Sequence, residues 1–362
     1  MPKSSSTETQ PEFNLKGIGK NGSLHSPLDD PRRFAETLEN WFQNEGRDYP
    51  WRRTTDPYAI LVSELMLQQT QISTVLQGRY YEKWMSLFPN VETLANAPEE
   101  AILKAWEGLG YYRRARFLQQ SAKVIQEQQG GIFPRTLHKI NELPGVGRYT
   151  TGAVVSFAFD QPAPIVDGNV ERVLARLMNF SKEIDSKATK EIWNWAEQLV
   201  KASSSPRRFN SALMELGQRI CKPTSTDCMQ CPVQTFCRCT EPLSLPNKKS
   251  APAITQIEEH AALVSQDGKI LLVQENGPRR KGLWKFPPLN ENEAKAFPKI
   301  LEMYYSITRF RVSFQLYKVI NEQVKLDGRI KQGWFNKEEG EAIALASPFR
   351  KAWTKLWKET EL

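Results

Sequence analysis

All five cysteines of the chain fall between Cys221 and Cys239, and four of them run Cys221-x6-Cys228-x2-Cys231-x5-Cys237. So tight a run dictates a local fold before any helix or strand is considered. An odd number of thiols leaves one unpaired, and the first thirty residues contain Ser, Thr and Gly but no apolar export core. Both features argue against a disulfide framework and for a metal site in a reducing compartment. Four thiolates can hold zinc or an iron–sulfur cluster. A zinc ribbon would usually show two Cys-x2-Cys knuckles, and one is present here. The spacing therefore reads as a four-cysteine site and leaves the metal open, with Cys239 outside the pattern.

At 362 residues the chain is too long for one ordinary core and fits two domains. Residues 1–30 read as a flexible tail. Over 31–240 helical periodicity dominates, at 34–42, 58–69, 72–88, 98–107, 115–128 and 187–202, mostly with Pro, Gly or Asn near an end. An all-α domain is expected there. Residues 241–252 hold three prolines and two lysines without periodicity and read as a linker. From 253 to 362 the pattern becomes α+β. Segments 260–265 and 269–275 flank an Asp267–Gly268 turn, a hairpin signature; 310–320 is a further strand and 348–360 a terminal helix. No run of about 18 apolar residues is present, so no membrane span is expected. The net charge of +8 favours a polyanionic partner such as nucleic acid, and it divides evenly about residue 253.

Three further stretches carry chemistry. In Leu143-Pro144-Gly145-Val146-Gly147, Gly145 and Gly147 permit a sharp turn between two helices. The N–H groups opening the second helix would suit a DNA phosphate, or the stretch is a tight helix–helix turn and no more. In the helix from Tyr58, Glu64 is the only charged residue between Asp56 and Arg79. Burial among apolar neighbours raises a carboxyl's pKa and suits a general acid; tying to a neighbouring helix or to Gln68 is the alternative. Asp167, in Pro164-Ile165-Val166-Asp167-Gly168-Asn169, precedes a helical pattern. It reads as an N-cap, which would also keep a catalytic carboxylate ionised, and Asn169 would bond substrate or backbone.

Together and in this order, these constellations resemble the helix-hairpin-helix DNA glycosylase superfamily, and within it the adenine-excising MutY-type enzymes. The resemblance covers about Pro50 to Cys237. It implies a [4Fe–4S] cluster on Cys221, Cys228, Cys231 and Cys237. It implies Glu64 as proton donor to adenine N7, Asp167 as stabiliser of the sugar cation, and Tyr149 and Asn169 orienting Asp167 and water. Arg52 and Gln69 match pocket residues near the adenine, and Gln68 and Tyr111 match residues that push into the duplex. Tyr112 is left to the core. Strand-cutting relatives carry a lysine where Tyr149 stands, and a phenol cannot form their Schiff base. Monofunctional excision of adenine opposite 8-oxoguanine or guanine is thus expected, on double-stranded DNA.

The C-terminal part resembles that family's Nudix-like, lesion-reading module, through 261–275 and Gly282-Leu283-Trp284-Lys285-Phe286-Pro287-Pro288. The acidic core of an active Nudix box is missing, so pyrophosphate hydrolysis is not expected. Where the family carries Phe-Ser-His, Ile307-Thr308-Arg309 stands here, with Thr308 offering a hydroxyl and Arg309 a cation to the lesion. The resemblance also implies a monomer in the bacterial cytoplasm, associated with the nucleoid.

Overall fold

The structure, a computed structural model, describes residues 28–248, 253–320 and 328–359. Most of the tail (1–27), the last part of the linker (249–252) and Thr360 of the terminal helix lie outside them.

The helical domain runs through α1 (Pro31–Glu45), α2 (Pro57–Leu67), α3 (Ile72–Gln77), α4 (Tyr80–Leu87), α5 (Val91–Asn96) and α6 (Glu99–Ala105). It continues with α7 (Arg113–Gln128), α8 (Leu137–Asn141), α9 (Arg148–Phe159), α10 (Gly168–Leu177), α11 (Ser186–Lys201) and α12 (Pro206–Arg219). Local signals start these helices. Asp30, Asp56, Asn90, Asp167, Asp185 and Ser205 each cap the following helix by accepting its early N–H groups. The single helix expected over 72–88 is two, broken at Gly78–Arg79. Arg79 has φ +50°, and a Cβ at Gly78 would meet the Tyr80 ring at 2.2 Å, so the chain can bend only with glycine there.

Two buried cores divide the helices. One lies among α2 to α9, and Trp84, Trp106 and Leu65 are fully enclosed in it. The other joins α1 to α10, α11 and α12 and takes in Val233, with Cys221, Cys231 and Phe236 packed on its edge. Glu39 of α1 is buried in the second and accepts from Ser204 N at 3.0 Å. Pro242–Ser244 forms one 3-10 turn, and Leu245 is buried, its carbonyl accepting from Arg176 Nε at 2.9 Å.

The C-terminal part comprises β1 (Thr255–Leu263), β2 (Ser265–Gln266), β3 (Lys269–Gln274), β4 (Trp284–Lys285) and β5 (Pro288–Leu289). Then follow α13 (Glu291–Ala294), β6 (Lys299–Ile307), β7 (Phe310–Lys318), β8 (Gln332–Phe335), α14 (Lys337–Ala342) and α15 (Ser347–Glu359). One sheet has the order β5-β1-β7-β6, with β1 and β7 parallel; in the other β3 pairs with β2, β4 and β8. The hairpin expected across Asp267–Gly268 is therefore much shorter than its sequence signature. Only Ser265–Gln266 pairs back on β3, because the chain changes sheets at Val264 and sends β1 to β7 instead. β6, which pairs antiparallel with β7, has no counterpart in the sequence reading. Leu263, Leu283, Phe286, Phe314 and Trp353 belong to the same core as α2 to α9, so the first helical core and the C-terminal part share one interior.

Candidate active site

A groove of about 2120 Å³ opens between the helical domain and the C-terminal part, lined among others by Glu64, Tyr149, Asp167, Asn169, Tyr111 and Thr308. Glu64 enters from α2, a helix with every residue from Tyr58 to Met66 buried. It is itself only 6% exposed, and its carboxyl is pushed up to about 7, chiefly by burial. The Asp167 charge adds to that rise, while a hydrogen bond from Tyr149 and the Arg52 charge oppose it. Tyr149 stands in the first turn of α9, and burial with the two carboxylates holds its phenol well above the ordinary value.

Asp167 faces this pair from the second core. Its Oδ1 caps α10, accepting from Asn169 N at 2.9 Å and Val170 N at 2.7 Å, and its Oδ2 accepts from Asn169 Nδ2 at 2.9 Å. Asn169 is steadied in turn by Arg172, whose Nη2 donates to Asn169 Oδ1 at 2.9 Å. The same guanidinium reaches Gly217 O at 2.7 Å and, through Nε, Cys221 O at 2.9 Å, linking the site to the start of the cysteine loop.

Arg52 forms the far wall. It pairs with Glu215, donates to Arg47 O, and lies between the rings of Phe42 and Tyr49 at 4.9 and 4.7 Å. The Glu215 side chain is fully buried and also accepts from Arg47 N at 2.9 Å. Sequence reasoning missed Glu215, although it carries the signal that flagged Glu64: it is the only charge between Arg208 and Arg219. Arg114 was missed too. Its Nη1 donates to Leu65 O and Met66 O at 2.8 and 2.9 Å and to Gln68 O, and its Nη2 to Leu109 O at 2.9 Å and Gly110 O at 3.1 Å. It thereby ties the end of the Glu64 helix to the loop that carries Tyr111.

Gln68, Gln69 and Tyr111 line the groove. Gln68 Nε2 donates to Thr150 Oγ1 at 3.3 Å, and Gln69 and Tyr111 have φ of +54° and +45°. Tyr111 is 47% exposed, whereas Tyr112 is buried with its hydroxyl on Leu345 O at 3.2 Å. Gly145 has φ +75°, and a Cβ there would stand 2.3 Å from the Phe117 ring, so this turn accepts no other residue without moving that ring. Gly147 precedes α9 in extended backbone, and Gly145 but not Gly147 lines the groove. Thr308, at φ +51°, turns the β6–β7 hairpin toward the groove; its hydroxyl donates to Ile307 O at 2.7 Å. Arg309 lies outside the groove lining, its guanidinium over the Phe310 ring at 5.2 Å.

The cysteine loop leaves α12 at Cys221, whose sulfur accepts from Arg176 Nη1 at 3.3 Å. Cys231 is pushed up to about 11, first by burial and then by the thiols of Cys221, Cys237 and Cys228. Among the described residues no three His, Cys, Asp or Glu side chains are grouped so as to hold a metal ion. Among the described residues, too, no helix is long and apolar enough to cross a membrane.

A carboxyl kept dry and protonatable, opposed by a capped carboxylate behind a glycine-turned helix pair, defines a class: residues 62–198 match the model of the HhH-GPD superfamily of base excision DNA repair proteins. A solved thermostable thymine-DNA glycosylase is similar in fold, with 32% identity and a TM-score of 0.51 over 58% of this chain and 96% of that one. An adenine DNA glycosylase of Buchnera aphidicola subsp. Baizongia pistaciae is 31% identical over 90% of this chain and 97% of its own length. The mouse adenine DNA glycosylase is 42% identical over 66% of this chain, and the match spans 48% of that protein. The chain belongs to the adenine DNA glycosylase family.

Proposed function

We propose that the chain is a monofunctional DNA glycosylase that removes adenine mispaired with 8-oxoguanine or guanine in double-stranded DNA. The observation that carries the reading is Glu64: a buried carboxyl with its pKa pushed up to about 7, opening on a groove with Asp167 on its other side. Neutral adenine is a poor leaving group, and a carboxyl that keeps its proton near neutral pH remedies that. The adenine would be turned out of the duplex, since its glycosidic bond is unreachable in the stack. Glu64 gives its proton to N7. The C1′–N9 bond breaks, its electron pair leaves with adenine, and the Asp167 carboxylate stabilises the cationic sugar or closes on it as an ester. Water then adds at C1′ and yields its proton to the Glu64 carboxylate, as in retaining glycosidases. Tyr149 and Asn169 orient the carboxylates. Arg52, held in place by the buried Glu215, and Gln69 form the base pocket, and Gln68 and Tyr111 fill the gap in the stack. Gly145 and Gly147 let the α9 N-terminus approach a phosphate.

Cys221, Cys228, Cys231 and Cys237 would hold a [4Fe–4S] cluster. Four soft thiolates are the donor set of an iron–sulfur cluster, and the Arg176 guanidinium beside Cys221 would offset thiolate charge. Bound there, the cluster would cross-link the loop and supply rigidity. The domain reading remains residues 31–240 for excision and 253–362 as a Nudix-like module whose Thr308 meets the lesion, with Arg309 beside it outside the groove lining. A monomer in the bacterial cytoplasm is part of the same reading.

Single-turnover excision on duplexes holding adenine opposite 8-oxoguanine, adenine opposite guanine and thymine opposite guanine tests this, with alkali to reveal abasic sites. Adenine loss from the first two is expected. Loss from the thymine duplex alone would overturn the substrate, and breaks without alkali would overturn the monofunctional assignment. The Glu64→Gln variant should bind DNA and excise nothing.

A further inference from the structure

The loop that carries Tyr111 into the groove cannot hold its shape alone. Gly108 and Gly110 take φ of +103° and +67° freely, but Tyr111 has φ +45°, a region that a side-chain-bearing residue disfavours, so the surroundings must help to hold it. Part of that restraint comes from the C-terminal part. Arg350 of α15 grips Glu107 with two nitrogens, Nε on Oε1 and, at 3.2 Å, Nη2 on Oε2. Lys104 Nζ joins at 2.9 Å from Glu107 Oε2, and both cations donate to Ile343 O. Beyond the loop, the Tyr112 hydroxyl is held on Leu345 O. The Glu107 side chain is 12% exposed and that of Arg350 20%, so the fork is largely shielded from water and fixed in direction. α15 packs on β6, the strand that ends at Ile307, one residue before Thr308 in the turn on the groove.

We propose that Arg350 is a positioning residue for recognition of the base opposite the target. Its ion pair with Glu107 holds the Tyr111 loop in register with the Thr308 hairpin, so that what the hairpin meets on one strand governs how Tyr111 is presented to the stack. Neither Glu107 nor Arg350 lines the groove, so the pair acts through the loop and touches no reacting atom. The inference rests on the adenine-excision reading above. Such coupling is read by comparing the charge swap with the Arg350 substitutions.

The experiment uses the full chain as wild type, Arg350→Gln, Arg350→Lys and the charge swap Glu107→Arg with Arg350→Glu. Single-turnover rates are measured on adenine opposite 8-oxoguanine and adenine opposite guanine, beside hydrogen exchange of amides 108–112. Arg350→Gln should lower the rate ratio of the two duplexes by about tenfold, mostly by slowing the lesion duplex. It should also speed exchange at 108–112. The lysine variant should fall between, and the swap should recover part of the ratio. Equal slowing on both duplexes, or a folded swap variant that recovers nothing, overturns the proposal. Should the wild type excise no adenine, the functional reading fails instead. The coupling is then decided by exchange at 108–112, where rates unchanged by Arg350→Gln refute it.

Discussion

Burial of Glu64 has opposite consequences for chemistry and for stability, and both are readable against pH. As the proposed general acid it must carry its proton, and its carboxyl is pushed up to about 7. Excision should therefore be flat in acid and fall about tenfold per pH unit above neutrality, measured under single turnover. A profile that rises through pH 7 would assign the residue the role of a base from the start. The stability effect follows from the same shift. Between the unfolded value of 4.5 and about 7, the folded state binds more protons, so stability falls as pH rises through that window. At pH 8 the buried charge costs on the order of 3 kcal/mol, which Glu64→Gln should recover, raising the melting temperature there and leaving it nearly unchanged at pH 4. Glu64 was legible in the sequence because an isolated charge in an apolar helix is a one-dimensional signal. Glu215 shows the same pattern, yet nothing in the chain order says that Arg52 comes to it from the end of another loop.

Elements are held to one another here by buried guanidinium groups, and sequence patterns do not report that. Arg114 collects carbonyls from the end of α2 and from the Leu109–Gly110 turn, and burial lowers its pKa to about 10. It satisfies acceptors that α2 leaves open and sits favourably at the negative end of the helix dipole. Replacing it by Met would strand several buried carbonyls. A loss on the order of 3 kcal/mol in urea unfolding is expected, with the helical signal intact at zero denaturant. Arg114→Lys keeps the charge without the planar fork and should recover less than half. Full recovery would mean that charge alone suffices. The same limit explains the misread elements. Periodicity carried one helix through Gly78, and only the Tyr80 ring pressed against that glycine explains the break. A sound hairpin turn at Asp267–Gly268 did not disclose that β1 pairs with β7, because partner choice in a sheet is set by distant residues. The Asp167 cap and the Gly145 turn were legible because each is fixed by neighbours in sequence.

Across the whole molecule, the division seen in sequence between helices and sheet is not the division of the interior. The core of α2 to α9 continues into the C-terminal sheets, while α1 and α10 to α12 close around a second core with the cysteine loop at its edge. The proposed active site straddles the two, Glu64 and Tyr149 on one and Asp167 and Asn169 on the other. Regions with separate cores open with separate free energies. Removing the proposed cluster, by Cys231→Ser or by chelation, should therefore loosen the second core selectively. Its grip on α10 runs through Arg172 to Cys221 O and through Arg176 to the Cys221 sulfur and Lys222 O. Hydrogen exchange is the measurement suited to this, since it resolves the two cores within one chain. Amides of α10, α11 and α12 should lose protection, while those of α2, α7, β1 and β7 keep theirs. Excision should fall with them, because Asp167 and Asn169 ride on α10, and DNA affinity should fall less, because the α9 turn and Tyr111 belong to the first core. Uniform loss of protection would mean that the interior is one cooperative unit. Loss confined to 221–239 would mean that the loop hangs on the fold without bracing it.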